Sequence, residues 1–107
     1  MVESTIALDR IFAALADATR RDILKRVSIA EHTISELAVS YAMSFAAIAK
    51  HISVLEKAGL IIKRRSGKEK VIQIQPKAIE VAFSYLSEYE KVWSDRFDAL
   101  EKLLEAR

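Results

Sequence analysis

The apolar positions of this chain fall on helical spacing for most of its length. Leu8, Ile11, Phe12 and Leu15 stand at i, i+3, i+4 and i+7, and Ser4 or Thr5 can accept a free amide ahead of them, which predicts a helix over about 5–15. Asp17 is a good N-cap for a second helix over about 18–28, in which Ile23, Leu24 and Val27 form one stripe while Arg20, Arg21, Lys25 and Arg26 face outward. Thr33 and Glu36 have the spacing of a capping box, where hydroxyl and carboxylate satisfy each other's backbone amides. A third helix therefore starts at Thr33 and runs to about Val39. Ser44 caps a fourth over about 45–57, with Ile48, Ile52 and Leu55 inward and Gly59 at the left-handed position that ends it.

After Gly59 the pattern turns β-rich. Leu60, Ile61 and Ile62, a basic run, and then Val71 to Gln75 predict a two-stranded hairpin turning at Ser66 and Gly67. Pro76 suits the first turn of a last helix, which nothing interrupts as far as Leu104, a length of about 45 Å. Along it Ile79, Leu86, Trp93 and Leu100 repeat every seven residues, with Phe83, Phe97 and Leu104 four positions further on. The expected fold is mainly α with a small two-stranded β-hairpin wing, in the order α-α-α-α-β-β-α. No internal repeat, low-complexity tract or interdomain linker breaks it, so residues 1–107 read as a single domain.

Composition narrows the function. Of 107 residues 51% are hydrophobic and 30% charged, with only two Gly and one Pro, which excludes a disordered or collagen-like chain. Zero Cys removes a disulfide framework, a thiolate zinc site, an iron–sulfur cluster and a thiol nucleophile. His32 reads as solvated in the loop before the capping box. His51, with no second ligand near it, is a poor metal site and is assigned a hydrogen bond to DNA or to a neighbouring helix. No metal or other cofactor is expected. The apolar stretches 45–49 and 58–62 are far shorter than the roughly 20 residues that cross a bilayer, and Glu3 and Asp9 precede any basic residue, unlike a secretory signal. The expectation is a soluble, cytoplasmic protein with no membrane partner. The carboxylates sit at solvent-facing helical positions, and no Ser, His and acid cluster, Gly-rich phosphate loop or HExxH segment is present. No catalytic residue is assigned.

The net charge is only +2, but it is unevenly distributed. Residues 1–43 hold five basic and six acidic side chains, 44–75 hold seven and two, and 76–107 hold five and seven. Two short helices separated by Ser40 to Met43, followed at once by a basic hairpin, make a winged helix-turn-helix arrangement. The helix over 45–57 can lie in a major groove of double-stranded DNA with its N-terminal half against base edges. Ser44, Phe45, Ala46, Ala49, Lys50, His51 and Ser53 are the candidate contacts there. Lys63, Arg64, Arg65, Lys68 and Lys70 would reach phosphates or a neighbouring minor groove. Arg20 and Arg21 are divided between plain surface charge and phosphate contact.

The seam of the last helix exceeds what the short helices can cover, which points to a twofold homodimer. Its candidate interface joins Leu8, Ile11 and Phe12 to Leu86, Trp93, Phe97, Leu100 and Leu104. The expected function is a sequence-specific, dimeric DNA-binding regulator, its effector unknown. The alternative is a winged-helix protein-interaction or dimerisation module with weakened DNA readout. The apolar Phe45, Ala46 and Ala49 support that alternative, and five basic residues within the eight positions 63–70 oppose it.

The run from Leu15 to Leu24 resembles the L-A-D-P-T-R-R-x-I-L opening of ArsR-type winged-helix repressors. Thr33 to Ala38 is similar to their T-V-S-E-L-A helix. Met43, Ser44 and the run from Ile48 to Leu60 are similar to their M-S-Q-P-A-V-S-K-H-L-x-V-L-E-x-A-G-L-V recognition segment. The resemblance spans nearly the whole chain. It implies a homodimeric transcriptional repressor, often of its own operon, paired through its first and last helices. Ala18 departs from the usual Pro, and Phe45, Ala46 and Ala49 stand where the family usually has Gln, Pro and Ser, leaving a reading face poorer in hydrogen-bonding groups. Metal-sensing members carry a Cys pair in the helix matching 33–39, or acidic and His ligands in the last helix. This chain has neither, so the resemblance is to the branch that does not sense metals.

Overall fold

The computed structural model describes residues 2–106, apart from the side chains of Val2, Glu3, Ser4 and Ile6. The elements are α1 (Val2–Leu15), α2 (Ala18–Ile29), β1 (His32–Thr33), α3 (Ile34–Tyr41), α4 (Phe45–Lys57), β2 (Ile61–Ser66), β3 (Glu69–Ile74) and α5 (Pro76–Glu105). α1 already includes Ser4 and Thr5, so neither is its cap, and the Ser4 side chain lies outside the described residues.

The other helix starts follow the local chemistry. Asp17 accepts the Arg20 amide at 3.0 Å and opens α2. Thr33 Oγ1 accepts the Glu36 amide at 3.1 Å while Glu36 Oε1 accepts that of Thr33 at 3.4 Å, closing the capping box. Ser44 Oγ accepts the Ala47 amide at 3.1 Å and starts α4. α4 ends as expected at Gly59, whose φ is 77°, with the amides of Gly59 and Leu60 returning to the carbonyls of Glu56 and Leu55. α3 runs two residues past its expected end and closes in the same way on Ala42, at φ 52°, with Ala42 and Met43 bonding back to Val39 and Ala38.

The sheet departs from expectation in two respects. It has three antiparallel strands in the order β1-β3-β2, not two. The first residue of the capping box and the one ahead of it are extended, and they pair with the free edge of β3, Thr33 with Val71 and His32 with Ile72. His32 is accordingly half-buried, its Nδ1 donating to the Ala30 carbonyl at 2.8 Å, rather than simply solvated. In the hairpin Ser66 pairs with Glu69, so the loop is Gly67 and Lys68, one residue later than the expected turn. Gly67, at φ 64°, supplies the positive φ that a two-residue hairpin loop requires.

The stripes read from the sequence meet in one core. Ile23 of α2, Leu37 of α3, Ile48, Ile52 and Leu55 of α4, and Leu60, Ile61 and Ile72 of the wing are all fully buried. Each contributes on the order of 1.5–3 kcal/mol relative to exposure. Ile11 joins them at 2% exposure. That corrects its place in the expected dimer interface, because α1 turns this position toward the core of its own chain and presents Leu8 and Phe12 at the margin. α5 is attached only by its first turns, where Ala78 and Ala82 are buried. From Glu88 to Ala106 every residue is exposed, and the molecule is 68 Å long as a result.

Candidate nucleic-acid interface

α3 and α4 meet at 116° across the turn Ala42–Ser44, within the range of helix-turn-helix pairs. The core stripe of α4 leaves its opposite face open. Phe45 is 57% exposed, Ala46, Lys50 and Lys57 are exposed, and Ala49 and Ser53 are half-buried on the same side. Ser44 is exposed and engaged as the cap, its hydroxyl proton free to donate outward.

The basic residues of the wing divide into two groups. Lys63 lies 3.5 Å from Glu56 of α4, and Arg64 donates to Glu31 at 2.9 Å, a carboxylate that also accepts from Gln73 of β3. These pairs brace the wing against the body. Among the described residues no carboxylate pairs with Arg65, Lys68 or Lys70, which surround the exposed tip. They are the charges available to a polyanion.

His51 is not on this open face. Its Nδ1 lies 3.4 Å from Arg20 Nη1 and 4.0 Å from Asp17 Oδ2, in the joint between α4 and the start of α2. A guanidinium has no acceptor, so in this contact Nδ1 accepts from Arg20. Of the two partners foreseen for His51, a neighbouring helix is the one it meets. The DNA contact expected of His51 is thus replaced by this helix-to-helix contact.

Arg20 and Arg21 have a role that neither sequence reading foresaw. Arg20 donates from Nε to the Ala14 carbonyl at 2.8 Å and from Nη2 to that of Ala13 at 3.1 Å, while Arg21 donates to Leu15 at 2.7 Å. Together they satisfy the last carbonyls of α1, a helix that ends without glycine. The signal was available in a double arginine placed five to six residues after a helix end with no left-handed closing residue. Behind α3, Tyr41 donates to Asp22, and Arg26 both pairs with Asp22 at 3.2 Å and lies 4.6 Å over the Tyr41 ring. Burial, reinforced by Asp22, pushes the Tyr41 hydroxyl up to about 12, while the Tyr41 bond and the Arg26 charge hold Asp22 below its usual value.

The seam of α5 is bare. Leu86, Trp93, Phe97, Leu100 and Leu104 are all more than half exposed, and Trp93 and Phe97 stack at 6.0 Å on the surface. Nearer the body, Phe12 meets Tyr85 with ring centroids 5.9 Å apart.

Residues 17–63 match the bacterial regulatory proteins of the arsR family. The chain is 48% identical over 71 residues to the uncharacterized HTH-type transcriptional regulator YuzN of Bacillus subtilis, covering 60% of this chain and 77% of YuzN. It superposes with a TM-score of 0.77 on the crystal structure of the ArsR family transcriptional regulator RHA00566, 34% identical, over 84% of this chain and 93% of that one. The chain belongs to the ArsR family. The fold is also that of the homodimeric winged helix-turn-helix DNA-binding domain of Mb0332 from Mycobacterium bovis, at a TM-score of 0.66 and 24% identity over 85% of this chain and 81% of that one.

As an ArsR-family protein the chain is a transcriptional regulator with a winged helix-turn-helix DNA-binding domain, not an enzyme. Among the described residues no group of three or more His, Asp or Glu side chains could hold a metal ion. No single helix among them is long and apolar enough to cross a membrane.

Proposed function

We propose that residues 1–107 act as a single domain and as a homodimeric, cytoplasmic repressor that binds an inverted-repeat operator. One observation carries this reading, the open N-terminal half of α4 set beside three basic residues at the wing tip that no carboxylate among the described residues pairs with. Ser44, Phe45, Ala46, Ala49, Lys50 and Ser53 face the major groove, and Arg65, Lys68 and Lys70 meet phosphates, with Lys63 and Arg64 bracing the wing and adding to its positive field. A twofold axis along α5 would set two recognition helices about 34 Å apart, one turn of B-DNA, which is what an inverted repeat requires. The homodimer named for Mb0332 supports the same symmetry. With no Cys and two separated His, the releasing signal is a ligand, partner or change in abundance other than a transition metal.

Recovery of genomic fragments bound by the protein, followed by a salt titration on the recovered site, tests the reading. Affinity should fall with salt at a slope of about −0.9 per phosphate contact. Arg65→Ala should weaken all sequences about equally and make the slope shallower, whereas Lys50→Ala should also relax the sequence preference. Equal affinity for random duplex, or a flat salt response, would overturn it.

A further inference from the structure

Phe45 is the first residue of α4 and the most prominent side chain on its open face, yet it does nothing for the fold. It is 57% exposed and takes no part in the core that Ile48, Ile52 and Leu55 build on the opposite side. Among the described residues no ring or cation stacks on it, in contrast to Phe12, which meets Tyr85. Ala49 stands one helical turn further on the same face, and Ala46 is exposed beside it. Phe45 and Ala49 form the apolar wall of a cleft of about 490 Å³ between α3, α4 and the wing, whose other side carries Lys63, Lys68 and Lys70 with one carboxylate, Glu69, among them, and so is net positive. The N-terminal half of the face thus offers one long donor, Lys50, the hydroxyl of the cap Ser44 at its edge, and between them only hydrocarbon.

That composition has one methyl-sized apolar counterpart on the edges of base pairs in a major groove, the C5-methyl group of thymine. The bare C–H edges of cytosine and the purines offer much less apolar surface, and every remaining group presented there is a donor or an acceptor. Placed against an aromatic ring, such a group loses its water and gains no partner, at a cost. We propose that Phe45, backed by Ala46 and Ala49, is a specificity-determining residue that selects thymine through its C5-methyl group. The inference rests on the operator-binding reading above and adds what the open face reads. The discrimination works in both directions, since the methyl is covered when thymine is present and polar edges are stranded when it is not. The positive side of the cleft holds the phosphates of the same strand and keeps the ring pressed to the groove.

Replacing thymine by deoxyuridine removes the methyl group and leaves base pairing and the hydrogen-bonding edges unchanged. Sites are selected from a randomised duplex library with the full chain, and the selected duplex is remade with uracil at one thymine position at a time. Affinity by fluorescence anisotropy should fall about fourfold for each methyl lost at the facing position, the contribution of one buried methyl-sized group. Phe45→Gln and Phe45→Ala should bind the thymine and uracil duplexes alike, with urea midpoints matching the parent. A selected site at which no uracil substitution changes affinity would overturn this inference and leave the operator reading standing. If no site is enriched from the library, both fall together.

Discussion

Arg20 and His51 meet at 3.4 Å, and this is where the first half of the chain grips the recognition helix. The same guanidinium holds the carbonyls of Ala13 and Ala14, so one side chain ties α1, α2 and α4 at a single point. A lysine there keeps the charge and loses the fork. Arg20→Lys is expected to destabilise the fold by about 1.5–3 kcal/mol, the range for hydrogen bonds to a charged group, and to lower DNA affinity with it. The urea midpoint read by circular dichroism checks this, and a midpoint unchanged from the parent would show that the three bonds carry no net stability.

Ala42 holds a left-handed conformation at the corner between α3 and α4, which costs a residue with a Cβ about 1–2 kcal/mol. Ala42→Gly relieves that strain while widening the freedom of the unfolded chain. The expected net effect is a gain of up to about 1 kcal/mol, seen as a higher urea midpoint with the same denaturant slope. A lower midpoint would mean that the alanine methyl packs favourably enough to outweigh the strain.

Acid should loosen the start of α2 and its tie to the end of α3 before it affects the core. The amide of Arg20, and then its charge, holds the Asp17 carboxyl below 3.8, and the Tyr41 hydroxyl, followed by Arg26, does the same for Asp22. A depressed carboxyl contributes stability that is fully present above its unfolded value and is lost as pH falls through the folded one. Stability from these two groups should therefore be flat down to about pH 4 and decline below it. In the double variant Asp17→Asn, Asp22→Asn, where asparagine can still cap, the decline should be visibly shallower, and an unchanged acid limb would refute the assignment. Tyr41 has the opposite sign. Its raised value contributes below pH 10 and is lost as pH rises toward 12, which the ultraviolet absorbance of tyrosinate can follow.

Much of this was legible in the sequence, and the rest was hidden for reasons of distance. Asp17, Thr33 and Ser44 announced their helices because a cap acts on an amide three residues away. The stripe Ile48, Ile52, Leu55 announced its buried face because helical period is local. A two-residue strand at His32 and Thr33 has no period, and it exists because Val71 and Ile72, almost forty residues later, present a free edge. Arg20, Arg21 and His51 carried the right chemistry for several partners, and only the packing of α1 against α2 and α4 selected among them. Ile11 and Phe12 are neighbours on one stripe, and whether each faces the core or the margin depends on where α5 passes.

The bare seam of α5 leads to a prediction of its own. If a second copy covers it, sedimentation should report a species of twice 12.1 kDa at micromolar concentration. Leu100→Asp should give a smaller species, red-shift the fluorescence of Trp93, the single tryptophan, and reduce operator affinity. A stable monomer with full affinity for DNA would overturn the dimer.

Thr33 belongs to two structures at once, capping α3 with its side chain while its backbone pairs with Val71 of the wing. Because α3 packs directly on α4, and Lys63 of the wing reaches Glu56 of α4, the reading helix and the wing are not separate fingers on flexible joints but the two jaws of one calliper, set at a fixed gauge by the body between them. Such an instrument does not adjust its span to what it measures. The double helix must bring its groove and its backbone to that gauge, and stretches of sequence that bend or narrow easily will be gripped more tightly than stiff ones presenting the same bases.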